Sequence, residues 1–425
     1  MTTPVPSRRR VQHALAAGLV LGMIVTAGCS TKATGDDAGS TQAGGVAAGP
    51  GVTDTTIQLG VLTDQTGAFA GLGKSVGQGR DLFWSEKNSQ GGVCGRKVEF
   101  VVKNHGYNTQ QAVSAYSQIK DEVLGVQELL GSPMIAALLP SIESDDMLSL
   151  VVSWSSTLLE NPNVVVPGST YDVEMINGLQ YLVDSGKLQR GDTISHVYLE
   201  GDYGQNALAG SRAAAEKLGL TLKEHSIKPT DSDLTAQVTA SRNSGAKAVL
   251  LSTAPAQTAS AVSVAEASGY DATFLGSNPT FTPTLLSGSA KTALQENFLL
   301  VGSTAPFASK AEKPTAVREA YEKKYTEQPT SYVNLGYAQA EIMAGILEAA
   351  CDKKDLTRSG LQTAMRGLSL VDTGGLIAPL DYSEAGAIPA REVYVLRPDG
   401  KAAGGLVIAQ ELSSCDLAKT YEPAE

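Results

Sequence analysis

The chain has 425 residues and a formal net charge of −11, from 44 acidic and 33 basic side chains. Apolar residues make up 42% of the chain, which is enough to bury a core in each of two lobes. The negative charge, with Lys and Arg scattered along the sequence, argues against nucleic acid and anionic membrane surfaces as partners, because neither is attracted electrostatically.

The N-terminal residues, 1–28, have the features of an export signal. Arg8-Arg9-Arg10 precedes an apolar run, Ala14 to Val25, that is too short to span a bilayer. Thr26-Ala27-Gly28-Cys29 follows and resembles the lipobox of bacterial lipoproteins, in which the cysteine is acylated. The resemblance implies a protein anchored by lipid at Cys29 to the extracytoplasmic face of the cell membrane, and a plain secretory signal is the alternative. Both the Sec and the twin-arginine export routes stay open.

Residues 29–53 predict a flexible tether, because they are rich in Gly, Ala, Ser and Thr and poor in large apolar side chains. A linker of roughly 20 such residues has a root-mean-square reach on the order of 25 Å. Loss of the signal removes three Arg and no acid, so the net charge of the mature form is −11 − 3 = −14.

Strand-like and helix-like segments alternate from residue 57 onward, which is typical of parallel sheets with helices on both faces. The first group has strands at Ile57 to Thr63, Lys97 to Lys103, Val126 to Leu130 and Leu148 to Ser153, and helices at Ser75 to Asn88, Thr109 to Glu122 and Ala136 to Asp146. The second group has strands at Ile194 to Glu200, Thr221 to Ser226, Ala248 to Ser252, Thr273 to Gly276 and Asn297 to Gly302, and helices at Glu174 to Gly186, Gln205 to Leu218, Leu234 to Ser244 and Gln257 to Ser268. Two successive groups predict two lobes.

Few elements follow Gly302: helices at Lys313 to Tyr325 and Val333 to Ala350, and a strand at Arg391 to Arg397. They are too few for a third domain. We therefore expect them to complete the first two sheets.

Ala68 to Ser75, AFAGLGKS, has the spacing of a phosphate-binding loop, with Ala68 in place of the first glycine. In such loops the glycine turn follows its strand closely, so that N–H groups at a helix N-terminus wrap the phosphates. Here residues 63–67 intervene, and no convincing acidic metal ligand stands at a strand end. The stretch therefore does not predict a nucleotide hydrolase.

The same stretch belongs to a longer series of short motifs that runs in order from Val52 to about Leu412. The motifs are Leu62 to Gly73, Asn88 to Glu99, Gln111-Ala112-Val113, Gly131-Ser132, Ser153 to Thr157, Asp202-Tyr203-Gly204, Asp233 to Val238, Leu275-Gly276 and Tyr337-Ala338. The series resembles the type I solute-binding proteins related to the leucine/isoleucine/valine-binding protein, which serve ABC importers.

The resemblance implies an α/β fold of two doubly wound parallel-sheet lobes joined by three hinge crossings, with the ligand between facing strand ends. The implied first lobe is residues 54–168 with 304–380, and the second is 169–303 with 381–412, before a tail at 413–425. AFAGLGKS would be a glycine-rich turn bordering the cleft.

Ser153 to Thr157 is the best candidate for ligand binding, because hydroxyl and backbone N–H groups at a strand end suit a carboxylate or amide oxygen. The resemblance implies that Ser155, Ser156 and Thr157 hold the ligand's carboxylate and amino group, and that Ser132 is a second carboxylate-binding serine. An ordinary polar turn is the alternative.

The other implied ligand contacts come from both lobes. Tyr203 closes onto the ligand from the second lobe, since its ring offers apolar area and its hydroxyl a polar end. Amino-acid binders of the family carry an acidic residue near Asn278 to pair with the ligand ammonium. Its absence argues against a zwitterionic ligand, because a buried unpaired ammonium is costly. Apolar walls are expected from five residues: Phe69, Leu72, Tyr107, Trp154 and Phe281.

Three cysteines follow Cys29, and an exported protein can form one disulfide from them. The residues alone do not choose the pair. The resemblance places Cys94 and Cys351 together in the first lobe and favours that pair over Cys351 with Cys415. No Cys-x-x-Cys pattern occurs and the four histidines are isolated, so neither a metal nor another cofactor is expected.

We predict a monomeric substrate-binding protein of an ABC importer of the branched-chain amino acid/amide type. It captures a small polar solute, an amino acid, amide or small carboxylate, by hinge closure and presents it to the permease subunits. A ligand-sensing receptor that acts on a membrane signalling partner is the alternative. An enzyme is not expected, because no Gly-x-Ser-x-Gly motif appears and no histidine is placed as a base.

Overall fold

The structure is a computed structural model that describes residues 40–41 and 45–423. The predicted export signal, Cys29 and much of the predicted tether lie outside the described residues. None of the helices within these ranges combines the length and apolar character needed to cross a membrane.

The first lobe is built on a five-stranded sheet in which all neighbouring strands are parallel. Two short strands, β1 (Ser40–Thr41) and β2 (Ala47–Ala48), precede it. The sheet order is β4-β3-β5-β6-β7, formed by β3 (Thr56–Thr63), β4 (Lys97–Asn104), β5 (Gly125–Leu130), β6 (Ser149–Val152) and β7 (Val164–Val165). The connecting helices are α1 (Ala70–Ser89), α2 (Thr109–Ile119) and α3 (Ser132–Ser144). β5 and β6 are buried along their whole length, as parallel strands covered on both faces should be.

The second lobe repeats this architecture. Its parallel strands lie in the order β12-β11-β10-β8-β9 and are β8 (Thr193–Leu199), β9 (Thr221–Ile227), β10 (Ala248–Ser252), β11 (Thr273–Gly276) and β12 (Phe298–Gly302). Its helices are α4 (Tyr171–Asp184), α5 (Asp202–Leu218), α6 (Thr235–Asn243), α7 (Pro255–Ser268) and α8 (Lys291–Asn297). Gly219 and Gly269 end α5 and α7 in the left-handed region, with φ of 70° and 63°, which glycine adopts without strain.

After β12 the chain returns to both lobes. The returning elements are α9 (Glu312–Lys324), α10 (Tyr332–Asp352), β13 (Asp355–Leu356), α11 (Arg358–Arg366), β14 (Leu370–Val371), β15 (Leu380–Asp381), β16 (Val393–Pro398), β17 (Leu406–Ser413) and α12 (Asp416–Thr420). β16 and β17 add two antiparallel strands beside β12. The expectation that both main sheets are completed is therefore wrong for the first lobe, which gains helices, while β13 pairs only with β2.

The chain crosses between the lobes three times: between β7 and α4, between β12 and α9, and between β15 and β16. The crossings lie side by side, since an isolated bridge pairs Ser169 of the first crossing with Ala390 of the third. Thr304 of the second crossing is bridged to Ile377, just before β15. The backbone N–H of Ser169 also donates to Ser303 Oγ at 3.1 Å. The predicted fold of two doubly wound lobes with three crossings is confirmed.

Helix α10 packs directly on α1 because both helices carry glycine at the contact. A Cβ at Gly79 would lie 2.1 Å from the carbonyl oxygen of Val333, and a Cβ at Gly336 would lie 2.0 Å from that of Val76. Both contacts are to backbone atoms, which cannot rotate away. The pair of glycines therefore fixes how a late helix joins the first lobe.

A disulfide holds the same junction. Cys94 lies between α1 and β4, and Cys351 lies near the end of α10, with their Cα atoms 6.5 Å apart. Cys415 is a free thiol at the start of α12.

Replacing Gly336 by alanine should lower the free energy of unfolding by about 1–3 kcal/mol, because overpacking forces the two helix backbones apart. Urea denaturation of the purified protein measures this. The matched control is Gly345→Ala in the same helix, where a Cβ meets nothing within 4 Å. That change should be neutral or should stabilise by up to about 1 kcal/mol through helix propensity. Equal losses in the two variants would contradict the glycine contact.

Candidate functional site

A cavity lies between the lobes where strand ends of both sheets meet. Leu130 and Val152 are the last residues of β5 and β6, while Tyr203 and Pro279 follow the second-lobe strands β8 and β11. The cavity, which we call the aromatic cavity, is lined by Phe69, Leu72, Tyr107, Leu130, Gly131, Ser132, Val152, Trp154, Tyr171, Tyr203 and Pro279. Its volume is about 20 Å³, room for roughly one water molecule. A larger solute therefore has to move the walls apart.

Aromatic rings form most of the cavity wall. The ring centroids of Phe69 and Tyr107 are 4.7 Å apart on one side. On the other side Tyr171 lies 5.9 Å from Trp154 and 4.5 Å from Tyr203, so a row of rings runs from the first lobe into the second. These tilted and edge-to-face arrangements are the favoured ones for aromatic pairs.

Tyr107 also carries backbone strain at the cavity. It has φ of 58°, in the left-handed region that a bulky residue rarely adopts. Its N–H donates to Nδ1 of the buried His105 at 3.1 Å. The ring is thereby held against Phe69.

A hydroxyl cluster is made of Ser132 and Tyr171, which line the cavity, and Ser153, which contacts Ser132. The side-chain oxygens of Ser132 and Ser153 are 2.7 Å apart. Burial raises the pKa of Tyr171, and a hydrogen bond with Ser132 opposes that shift. Ser132 is also the first residue of α3, whose N-terminal N–H groups carry partial positive charge. The cluster can donate hydrogen bonds to an anionic oxygen.

Tyr203 is anchored to the core of the second lobe. Its hydroxyl is 2.6 Å from Ser277 Oγ, which lies 3.5 Å from Ser252 Oγ. Ser252 in turn lies 2.9 Å from Nε2 of His196, and Ser211 lies 2.9 Å from Nδ1 of the same ring. Burial lowers the pKa of His196 to about 3, so this network is uncharged at neutral pH.

The predicted Ser155 to Thr157 segment lies beside the aromatic cavity and not on its wall. Thr157 Oγ1 donates to Asp202 Oδ1 at 2.7 Å and lies 2.9 Å from Ser155 Oγ. Burial raises the pKa of Asp202, which the hydrogen bonds from Thr157 and Ser155 oppose. These hydroxyls therefore link the first lobe to α5 of the second in this conformation.

Ser156 makes a second link of the same kind. It donates to Asp172 Oδ2 at 2.7 Å, and the Asn206 amide donates to the same oxygen at 3.2 Å. Thr170, in the first crossing, donates to the other oxygen of Asp172. The carboxylate of Asp172 thus gathers donors from both lobes.

Asn278 lines a separate cavity, which we call the hinge cavity. Its lining residues are Asn278, Phe281, Pro283, Leu300, Gly302, Thr304, Thr330, Ser331, Tyr332, Leu396, Gly404 and Leu406. The N–H of Asn278 donates to Glu174 Oε2 at 3.0 Å. Burial raises the pKa of Glu174 well above its ordinary value, which favours the neutral carboxyl group.

Six of the residues proposed from sequence lie together on the aromatic cavity: Phe69, Leu72, Tyr107, Ser132, Trp154 and Tyr203. Five others do not line it: Ser155, Ser156, Thr157, Asn278 and Phe281, of which the last two line the hinge cavity. Ligand contact by either group stays a prediction. Four lining residues were not expected from the sequence: Leu130, Val152, Tyr171 and Pro279. Leu130 and Val152 nevertheless end strands that the sequence analysis had located.

AFAGLGKS is the start of a helix and not a separate turn. Helix α1 begins at Ala70, and the Asp64 carboxylate accepts hydrogen bonds from the N–H groups of Thr66 and Phe69 at 3.1 and 2.9 Å. An alanine Cβ at Gly73 would lie 2.2 Å from the carbonyl oxygen of Asp64. A carboxylate thus already occupies the N–H groups that a phosphate would need.

Among the described residues, neither charged side chains nor a metal-binding cluster forms part of the site. The described lining of the aromatic cavity has no acidic or basic side chain. Residues 45–423 likewise contain no cluster of three or more His, Cys, Asp or Glu side chains placed to hold a metal ion.

Comparison with known proteins matches the chain to solute-binding proteins. A family model described as periplasmic binding protein matches residues 56–404. The structure of a fatty acid ABC transporter substrate-binding protein from Thermomonospora curvata is 44% identical with a TM-score of 0.88, covering 90% of this chain and 98% of that one. A branched chain amino acid ABC transporter structure from Thermus thermophilus with bound valine is 18% identical with a TM-score of 0.75, covering 87% and 98%.

A curated relative matches more weakly. An amino acid binding protein from Pseudomonas aeruginosa is 24% identical over 203 residues, which are 45% of this chain. The match spans about half of that protein, 52% of its length.

Replacing Glu174 by glutamine should change how stability depends on pH. Because the folded state raises the pKa of this carboxyl above its ordinary 4.5, the folded chain binds the proton more tightly than the unfolded chain. Stability is then lost as pH rises above that ordinary value. Glutamine keeps an oxygen for the Asn278 N–H and has no proton to lose, so its melting temperature relative to the native protein should increase from pH 5 to pH 8.

Thermal denaturation across that pH range measures the difference. Glu266→Gln, on the exposed face of α7, removes a carboxylate without touching the site and should leave the profile unchanged. Parallel profiles for Glu174→Gln and the native protein would show that the folded state does not hold this carboxyl neutral.

Proposed function

This chain belongs to the periplasmic binding protein family, and we propose that it is the substrate-binding protein of an ABC importer for a carboxylate with an apolar body. Proteins of this family bind solutes and catalyse no reaction, so the prediction of a non-enzymatic protein is confirmed. The observation that carries the proposal is the aromatic cavity, with uncharged walls and a hydroxyl cluster at one end.

The cavity walls favour an apolar body. Five aromatic side chains supply most of the surface, and removing apolar area from water is worth about 25 cal/mol per Å². Among them, Trp154 is held in place because its indole N–H donates to the carbonyl oxygen of Pro167 at 3.3 Å. A polar solute of the same size would lose hydration against these walls without replacing it.

The hydroxyl cluster provides for the carboxylate. Ser132, Ser153 and Tyr171 converge at the start of α3, and hydroxyl donors with a helix N-terminus together favour an anionic oxygen. Ser132 keeps the carboxylate role that was expected of it from the sequence. The role expected of Ser155 and Thr157 passes to closure of the lobes, since both are engaged with each other and with Asp202.

An α-ammonium group has no evident partner. The lining described for the aromatic cavity carries no acid, and Asn278 replaces the acidic residue that amino-acid binders have. Glu174 is near, but one of its oxygens accepts from the Asn278 N–H and burial favours its neutral form. Amino acids, amides and small carboxylates were the ligand classes expected from the sequence, and we choose the carboxylate. The name of the relative that is 44% identical, a fatty acid ABC transporter substrate-binding protein, agrees with a carboxylate ligand.

Capture requires the lobes to separate and close again. The aromatic cavity has room for about one water molecule in this conformation, so entry of a solute needs an open state. Closure is stabilised by contacts that only the closed form makes, such as Thr157 with Asp202 and Ser156 with Asp172. The ligand adds its own contacts to both lobes and shifts the equilibrium further toward closure.

We further propose that the protein acts as a monomer, anchored outside the cell membrane by lipid at Cys29, and delivers its solute to the permease subunits. The support is the lipobox resemblance at residues 26–29 and the low-complexity tether that follows. Such a tether lets a soluble body search the membrane surface near its transporter.

A soluble form that begins after Cys29 should be stabilised by octanoate or hexadecanoate and not by leucine or valine. A ligand that binds only the folded state at 100 times its Kd adds about 2.7 kcal/mol of stability, which a thermal-shift assay detects readily. Isothermal titration calorimetry then gives the affinity. Stabilisation by leucine, with no effect of either fatty acid, would reverse the assignment of the solute.

Ser132→Ala should weaken octanoate binding by roughly 5- to 20-fold, because it removes one hydrogen bond to a charged oxygen. Calorimetry on the soluble form measures the change. The matched control is Ser89→Ala at the exposed end of α1, which should leave affinity unchanged. Native affinity in Ser132→Ala would place the carboxylate elsewhere in the cleft.

Cys29→Ser should release the protein from the membrane. The cysteine thiol is the acyl acceptor in a lipoprotein, and serine cannot be processed in the same way. Metabolic labelling with a radioactive fatty acid, with membrane fractionation, compares the native chain with the variant. Equal labelling of both, or recovery of the native protein in the medium, would favour a plain secretory signal.

A further inference from the structure

We propose that the hinge cavity is a second subsite for the solute and binds an uncharged oxygen-bearing group, a hydroxyl or an amide carbonyl. The inference rests on the proposed function and deepens it, since the solute then carries this group in addition to its carboxylate. The observation that carries it is that Asn278, Thr304 and Ser331 line one cavity together.

Three buried polar side-chain atoms at this cavity lack a hydrogen-bond partner among the described residues. They are Nδ2 of Asn278, Oγ1 of Thr304 and Oγ of Ser331. The residues are only 4%, 4% and 9% exposed. Leaving a buried polar group unpaired costs about 1–3 kcal/mol, so three at one cavity indicate a missing partner.

The polar groups of the lining indicate which kind of ligand group the hinge cavity binds. An amide N–H donates, and the two hydroxyls can donate or accept, so together they suit a neutral oxygen. No charged side chain is among the described residues that line this cavity, and an ionised group here would be costly. The cavity volume of about 10 Å³ matches one water-sized group, such as a hydroxyl or carbonyl oxygen.

The position of Asn278 is fixed by contacts to its backbone. Its carbonyl oxygen accepts from the Tyr332 hydroxyl at 2.6 Å, and its N–H donates to Glu174 at 3.0 Å. Gly302 borders the side chain, since a Cβ there would lie 3.3 Å from Asn278 Cβ and 3.6 Å from its Oδ1. A side chain at position 302 would crowd Asn278, so the glycine keeps the space beside this side chain open.

The hinge cavity lies next to the cleft. Asn278 lines the hinge cavity and the next residue, Pro279, lines the aromatic cavity. Pro283 and Thr330 also border a groove of about 340 Å³ between the lobes, which reaches Gly71 of the first lobe. When the lobes separate, a solute in the cleft reaches both cavities.

The test compares matched acids on the native soluble protein and on the double variant Thr304→Val with Ser331→Ala. The probe pairs are hexanoate with 6-hydroxyhexanoate and octanoate with 8-hydroxyoctanoate, titrated by calorimetry. In at least one pair, the native protein should bind the hydroxy acid about 5- to 10-fold more tightly than the plain acid. The double variant should lose that preference while its affinity for the plain acid stays within about twofold.

Asn278→Ala provides an independent variant, because the backbone contacts to Glu174 and Tyr332 remain, and it too should reduce the preference. Ser287→Ala, at an exposed position nearby, should retain it in full. Equal binding of both acids by the native protein would mean that the cavity holds water only and would overturn the inference. A preference that survives the double variant would also overturn it. Failure of every acid to bind the native protein would instead overturn the proposed function, and this inference with it.

Discussion

The side-by-side arrangement of the three crossings is the constraint on which the rest of the structure depends. Ser169 of the first crossing is bridged to Ala390 of the third and donates its N–H to Ser303 of the second, so the three segments form one narrow band between the two sheets. With the band fixed, the carboxyl ends of β5 and β6 must face those of β8 and β11. Side chains that follow these strands therefore meet whatever their separation in sequence, and the aromatic cavity forms from both lobes.

The described linings of the aromatic cavity and the hinge cavity contain no charged side chain. Acidic groups lie near the cavities, but burial raises the pKa of both Asp202 and Glu174, and it lowers that of His196. Polar recognition is left to hydroxyl and amide groups. A charged solute head bound by such groups depends on several well-placed donors, whereas a neutral one needs few. This is why the hydroxyl cluster at α3 and the isolated polar atoms of the hinge cavity suit different parts of one solute.

Much of the fold follows from sequence patterns, since buried parallel strands are continuous apolar runs and their helices end at glycines such as Gly219 and Gly269. The misses have local causes. β17 is an edge strand in which only the first four residues form an apolar run, and α11 is short. The resemblance implied that AFAGLGKS is a glycine-rich turn bordering the cleft, yet close packing at Gly73 requires a residue without a side chain inside the helix.

The site was harder to derive because its chemistry depends on tertiary neighbours. Ser132 and Tyr203 could be placed by the strands that precede them. The engagement of Thr157 by Asp202 could not be foreseen, since the two residues belong to different lobes. Glu174 gave no signal beyond an acid in the first turn of a helix, and its meeting with the Asn278 backbone depends on the crossings.

The junction of α1 with α10 has a consequence for biosynthesis. The first lobe's sheet starts with β3 at residue 56, but the helix that covers α1, and the cysteine that pairs with Cys94, are synthesised far later. The second lobe has most of its sheet in one uninterrupted stretch and can assemble while the first still waits. During synthesis the apolar face of α1 is thus left uncovered until α10 has been made, so the first lobe exposes apolar surface for longer than the second.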